Sequence, residues 1–113
     1  MKSFSDPRSF FDQNDQKFIY EHVISKLDNP TAIVEVGNLT GVSTQFFSEN
    51  LPEAKLYSID KHTHNLPPLK KNVEVIKSDS TDWEPPCWLD FVYLDGDHSV
   101  EKVSEELLHY SPY

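Results

Sequence analysis

Hydrophobic residues along the chain change their spacing several times, and each change marks an expected element. From Asn14 onward, Phe18, Ile19, Val23, Ile24 and Leu27 recur at helical spacing, with Asn14 or Asp15 placed to cap the start. Asp28-Asn29-Pro30 stops that helix, because a residue preceding proline is pushed out of the α region. "AIVEV" (32–36) is a short apolar run of the kind that forms a parallel strand buried on both faces. Thr40 to Asn50 reads as a helix closed by Pro52. "AKLYSID" (54–60), "VEVIKSD" (73–79) and "LDFVYLDGD" (89–97) supply three more strands, each ending on an acid. Two proline-containing connections, 61–71 and 80–88, separate them. The last helix runs from Ser99 to Tyr110, with Val100, Val103, Leu107 and Leu108 on one face. Residues 1–13 have no period and read as an N-terminal arm.

Strands alternating with helices predict an α/β fold, a parallel sheet covered by helices on both faces. The expected strand order is 3-2-1-4, a Rossmann-like three-layer sandwich within a single domain over 1–113, and right-handed crossovers then put the helices on the two sides of the first strand on opposite faces. In that order the fourth strand is an edge, and "FVYL" carries no lysine or proline to blunt it. The expectation is a homo-oligomer formed through that edge or through the last helix. Ligands of open α/β sheets bind outside the carboxyl ends of the strands. Here Glu35, Gly37, Asp60, Asp79, Asp95 and His98 all fall at or just after strand ends.

Charge then narrows the partners. The net charge is −9 and the isoelectric point near 4.8, so the surface repels phosphate backbones and nucleic acid is not expected as a partner. No apolar run reaches the length of a membrane span, and no charged-then-apolar leader opens the chain, so no membrane partner and a cytoplasmic location are expected. The lone Cys87 excludes an internal disulfide and a cysteine-cluster metal site.

The turn "GNLTG" joins a strand to a helix through Gly37 and Gly41. Asp60 follows Gly37 by 23 positions, close to the roughly 20 expected for a carboxylate that accepts the hydroxyls of a ribose. Asn38 and Leu39 occupy the place where a dinucleotide site uses glycine to approach a pyrophosphate. Leucine there crowds a phosphate and suits an adenosine ligand without one. The pair His62 and His64 has no evident third metal ligand and reads as loop surface, while Trp83 and Trp88 suit either packing or covering an adenine.

"VEVGNLTGVST" resembles the first motif of class I S-adenosylmethionine-dependent methyltransferases, and "LDFVYLDGDHSVEKVSEELLHYSP" resembles the fourth-strand motif of the branch called methyltransferase family 24. The resemblance spans about residues 30–112 and implies S-adenosylmethionine as cofactor. It places Glu35 and Gly37 beside the methionine part, with Thr40, Gly41, Ser43 and Thr44 at the helix start supplying donors. Asp60 would hold the ribose, and Asp79 with Ser80 would meet the adenine amino group. Asp95 falls where related O-methyltransferases hold a metal or a substrate hydroxyl. His98 is placed to act as general base, a task the ordinary pKa of histidine suits near neutral pH. Members of the class continue for about three further strands, so the half that shapes the acceptor site is expected to be missing. A second acidic metal ligand has no counterpart, and no metal residue is assigned. Three readings follow: a methyltransferase acting on a small-molecule or glycan-like hydroxyl, a cofactor-binding or regulatory remnant without turnover, and a module for another adenosine ligand.

Overall fold

The computed structural model describes residues 1–96 and 98–113. Four strands form one parallel sheet: β1 (Ala32–Val36), β2 (Lys55–Asp60), β3 (Val73–Lys77) and β4 (Phe91–Leu94), in the order β3-β2-β1-β4. Three helices flank it: α1 (Gln13–His22), α2 (Val42–Asn50) and α3 (Val100–Tyr110). Both the α/β class and the 3-2-1-4 order expected from the sequence are found. Ile33 pairs with Leu56 on one side and Phe91 on the other, and Val36 pairs with Ile59 and Leu94.

Period-two alternation along β1 and β2 divides the core into two. Ile33 and Leu56 face α1 and α2, where Phe11, Phe46 and Phe47 pack edge to face or tilted at centroid distances of 5.4 to 6.1 Å. Val34, Val36 and Ile59 face the opposite side and pack with Tyr110 of α3. Such aromatic contacts contribute about 0.5–1.5 kcal/mol each beyond their buried area.

Element ends differ from the sequence expectations for local reasons. Asp12 caps α1, accepting from the Asp15 amide at 3.0 Å, while the Asp15 carboxylate accepts from the Asp12 amide at 3.3 Å. This capping box starts the helix before Asn14. α1 ends at His22, and a 3-10 turn over Ile24–Lys26 redirects the chain, so that Ile24 is buried while Phe18 stays exposed. α2 begins at Val42 because Gly41 takes a left-handed φ of 83° at the N-cap. β3 stops at Lys77, since Asp79 folds back to accept from the Thr81 amide and hydroxyl. β4 covers only Phe91–Leu94, and the expected continuation to Asp97 reaches a position outside the described residues.

Two features were not legible as periodicity. The arm is held by Gln16, wholly buried, whose side chain accepts from the Phe4 amide and donates to the carbonyls of Phe4 and Phe11. α3 turns its apolar stripe outward: Val100, Leu107 and Leu108 are exposed, whereas Glu106 and Tyr110 are buried. Among the described residues no helix is long and apolar enough to cross a membrane.

Candidate functional site

A cleft of about 340 Å³ opens along the carboxyl ends of all four strands. Gly37 after β1, Asp60 ending β2, Asp79 and Ser80 after β3, and Asp95 after β4 all line it. Its volume lies within the usual range for small-molecule sites, about 300–1,000 Å³. With strands about 4.8 Å apart, the run from β3 to β4 spans roughly 14 Å.

Gly37 has a φ of 90°, and a Cβ there would lie 2.4 Å from the Asp95 carbonyl oxygen. The glycine therefore lets the β4 end close against the β1 turn, bringing Asp95 to the cleft floor. Gly41 serves a different contact, since a Cβ at that residue would meet Pro67 Cδ at 2.5 Å. Leu39, between them, holds a positive φ of 34° with its side chain largely exposed in the cleft.

Asp60 is already engaged. Its Oδ1 accepts from the His62 amide at 2.9 Å, and its Oδ2 accepts from the Asn38 amide at 3.1 Å. His64 Nε2 lies 3.2 Å from the same Oδ2. His62 and His64 thus line the cleft rather than forming bare loop surface. Asp79 spends one oxygen on three donors: Lys102 Nζ at 2.6 Å, the Thr81 hydroxyl at 2.9 Å and the Thr81 amide at 3.0 Å. The Lys102 ammonium, then the Thr81 donors, hold its carboxyl down at about 2.

Asp95 is half-buried, and burial raises its carboxyl above the ordinary range, offset in part by His98. His98 Nε2 stands 3.6 Å from Asp95 Oδ1, longer than a hydrogen bond, and its side chain is mostly in solvent, outside the set of residues that line the cleft. Glu35, Ser43 and Thr44 do not reach the cleft. They form a buried cluster in which the Glu35 carboxylate accepts from Ser43, from Thr44 Oγ1 at 2.6 Å and from Ser58 Oγ at 2.8 Å. Burial pushes this carboxyl up to about 7, against the lowering effect of its three hydroxyl donors. Thr40 lines a separate hollow with Leu66 and Pro67. Trp83 packs on Tyr57 at 5.3 Å, and Trp88 is exposed; neither lines the cleft.

Sequence reasoning missed Lys102 and Glu106, both in the cleft wall. Ser80 donates its hydroxyl to Glu106 Oε2, and its carbonyl accepts from the Tyr110 phenol at 2.5 Å. The available signal was the i, i+4, i+8 spacing of Lys102, Glu106 and Tyr110, which stacks them on one face of α3. Among the described residues no group of three or more histidine, cysteine or acidic side chains is arranged to hold a metal ion.

Comparison with curated proteins returns no match. A family model described as a methyltransferase domain, that of methyltransferase family 24, matches residues 34–113. That stretch contains the entire sheet apart from the first residues of β1, every cleft carboxylate and all of α3, and the chain belongs to this methyltransferase family.

Proposed function

We propose that the cleft binds S-adenosylmethionine and that the protein transfers its methyl group to a small-molecule or glycan-like hydroxyl. The observation that carries this reading is the row of carboxylates across the strand ends, Asp79, Asp60 and Asp95, with a glycine turn at β1. A lining with Asp60, Asp79, Asp95 and Glu106 against Lys61 and Lys102 disfavours phosphates and favours a ligand bearing positive charge. The roughly 14 Å run suits a nucleoside extended by an amino acid.

In this arrangement Asp79 Oδ2 accepts from the adenine amino group, and Asp60 accepts from the ribose hydroxyls. A carboxylate offers about four lone-pair sites, and two on Asp60 accept backbone amides, which leaves two for the ribose hydroxyls beside the His64 ring. The methionine part then lies over Gly37 and Asp95. When bound, the cofactor supplies an electrophilic methyl group on a sulfonium. His98 would receive the proton of the acceptor hydroxyl as the methyl group passes from sulfur to that oxygen, leaving a neutral thioether, and Asp95 would steady the resulting imidazolium.

Calorimetric titration with S-adenosylmethionine, followed by product analysis, tests the reading. Asp60→Ala is expected to weaken binding at least tenfold, because each charge-assisted bond contributes about 1.5–3 kcal/mol. His98→Ala is expected to leave binding intact and slow methylation by about 10²–10⁴-fold. Unchanged affinity in the Asp60 variant would misplace the ribose, and an unchanged rate in the His98 variant would remove it from the chemistry.

A further inference from the structure

Glu106 is 1% exposed yet forms part of the cleft wall. Its Oε2 accepts from Ser80 Oγ, and Ser80 is fixed in turn by the Tyr110 phenol on its carbonyl. Its Oε1 is buried and has no hydrogen-bond partner among the described residues. The nearest cation along the helix, Lys102 one turn earlier, is committed to Asp79. A buried carboxylate oxygen without a donor is costly, so this position calls for a donor from outside the chain, an ordered water or a ligand N–H. Asp79 lines the same cleft with its three donors all on Oδ1, and the two acids approach from different elements, the β3 end and α3.

Building on the cofactor reading above, we propose that Glu106 is a specificity-determining residue that selects the amino-bearing purine. An exocyclic amine carries two N–H bonds, one for Asp79 Oδ2 and one for Glu106 Oε1. Hypoxanthine places a carbonyl oxygen at the same point, where its lone pairs face two carboxylates. The Ser80–Tyr110 network fixes the Glu106 carboxylate before the ligand arrives, so little ordering is left for binding to impose.

The probes are S-adenosylhomocysteine and its deaminated counterpart S-inosylhomocysteine, each titrated by calorimetry into the parent protein and two variants. The parent is expected to prefer the adenosyl ligand by about 100-fold or more, the effect of one or two charge-assisted bonds. Glu106→Ala should weaken the adenosyl ligand about tenfold or more while the inosyl ligand binds at least as tightly as it does to the parent, since one carboxylate facing its oxygen is gone. Glu106→Gln keeps the side chain's shape and a partner for Ser80. Its amide can turn an N–H toward the hypoxanthine oxygen, so it should narrow the preference from both sides. The preference ratio is insensitive to a partly unfolded sample, which scales both affinities alike. An equal preference in the parent and both variants would overturn the role of Glu106 while leaving the cofactor reading standing. A parent protein that binds neither ligand would overturn both.

Discussion

At the scale of single residues, two groups are held in unfavourable states, Leu39 in the cleft and Glu35 buried outside it. Leu39 keeps a left-handed φ of 34° and gains little packing in return, being 62% exposed. Such a conformation costs a non-glycine residue about 1–2 kcal/mol. Leu39→Gly releases that strain and adds about 0.5–1 kcal/mol of unfolded-state freedom. A net stabilisation of up to about 1 kcal/mol in urea unfolding is expected, and a clear loss would show that the leucine side chain holds the turn. Glu35 gives the pH dependence. Its carboxyl is raised by burial from 4.5 to about 7, so the folded state binds a proton that the unfolded state has released between those values. Stability from this group is present below about pH 4.5 and declines as pH rises toward 7, by roughly 3 kcal/mol in all. Glu35→Gln should flatten that slope and leave the variant more stable than the parent at pH 8. Parallel stability curves from pH 5 to 8 would remove Glu35 as their cause. The sequence identified Glu35 as important, but its position beneath α2 depends on Ser43, Thr44 and Ser58 converging from two elements, which no linear spacing reveals.

At the scale of elements, the strands and the extent of the last helix were legible, while the face that helix buries was not. Apolar runs such as "AIVEV" have few alternatives to burial in a sheet, and β1 is buried throughout. α3 offers two stripes, and apolar pattern alone favours Val100, Val103, Leu107 and Leu108. The inward stripe is instead Lys102, Glu106 and Tyr110, because Asp79 and Ser80 after β3 provide partners for the two charged side chains and Tyr110 fills the space over Val34, Val36 and Ile59. The apolar stripe is left with Val100 at 82% and Leu108 at 76% exposure. Among the described residues β4, immediately before α3 in the chain, pairs only with β1. Burying one leucine side chain stabilises an assembly by roughly 1.5–3 kcal/mol, so this face favours self-association. Sedimentation at micromolar concentration is expected to show a dimer or larger species. Leu107→Lys with Leu108→Lys should yield a monomer whose own stability changes by no more than about 0.5 kcal/mol per site. A monomeric parent protein would sink this expectation.

At the scale of the whole molecule, strand order and charge act together. Because the chain builds outward from β1 in both directions, β1 lies at the point where strand order reverses, and the cleft opens along the strand ends there. The strand order was legible; the direct contact between the β1 turn and the β4 end was not, since it depends on the missing Cβ of Gly37. Around this cleft the chain carries a net charge of −9. A concave site lined by one sign of charge concentrates the opposite sign within it. S-adenosylmethionine carries one more positive charge than S-adenosylhomocysteine, on the sulfonium, and is otherwise nearly the same shape. The acidic field should therefore make the sulfonium ligand bind more tightly at low ionic strength. Salt shortens the Debye length from about 30 Å at 0.01 M to about 10 Å at 0.1 M, which weakens the field of distant acids and leaves that of Asp95 and Asp60. The preference should thus narrow across this range and then level off at the part contributed by the cleft itself. Calorimetric titration of both ligands at several salt concentrations measures the trend. A preference that does not change with salt would confine the charge effect to the cleft carboxylates, and tighter binding of the neutral thioether at low salt would contradict it outright.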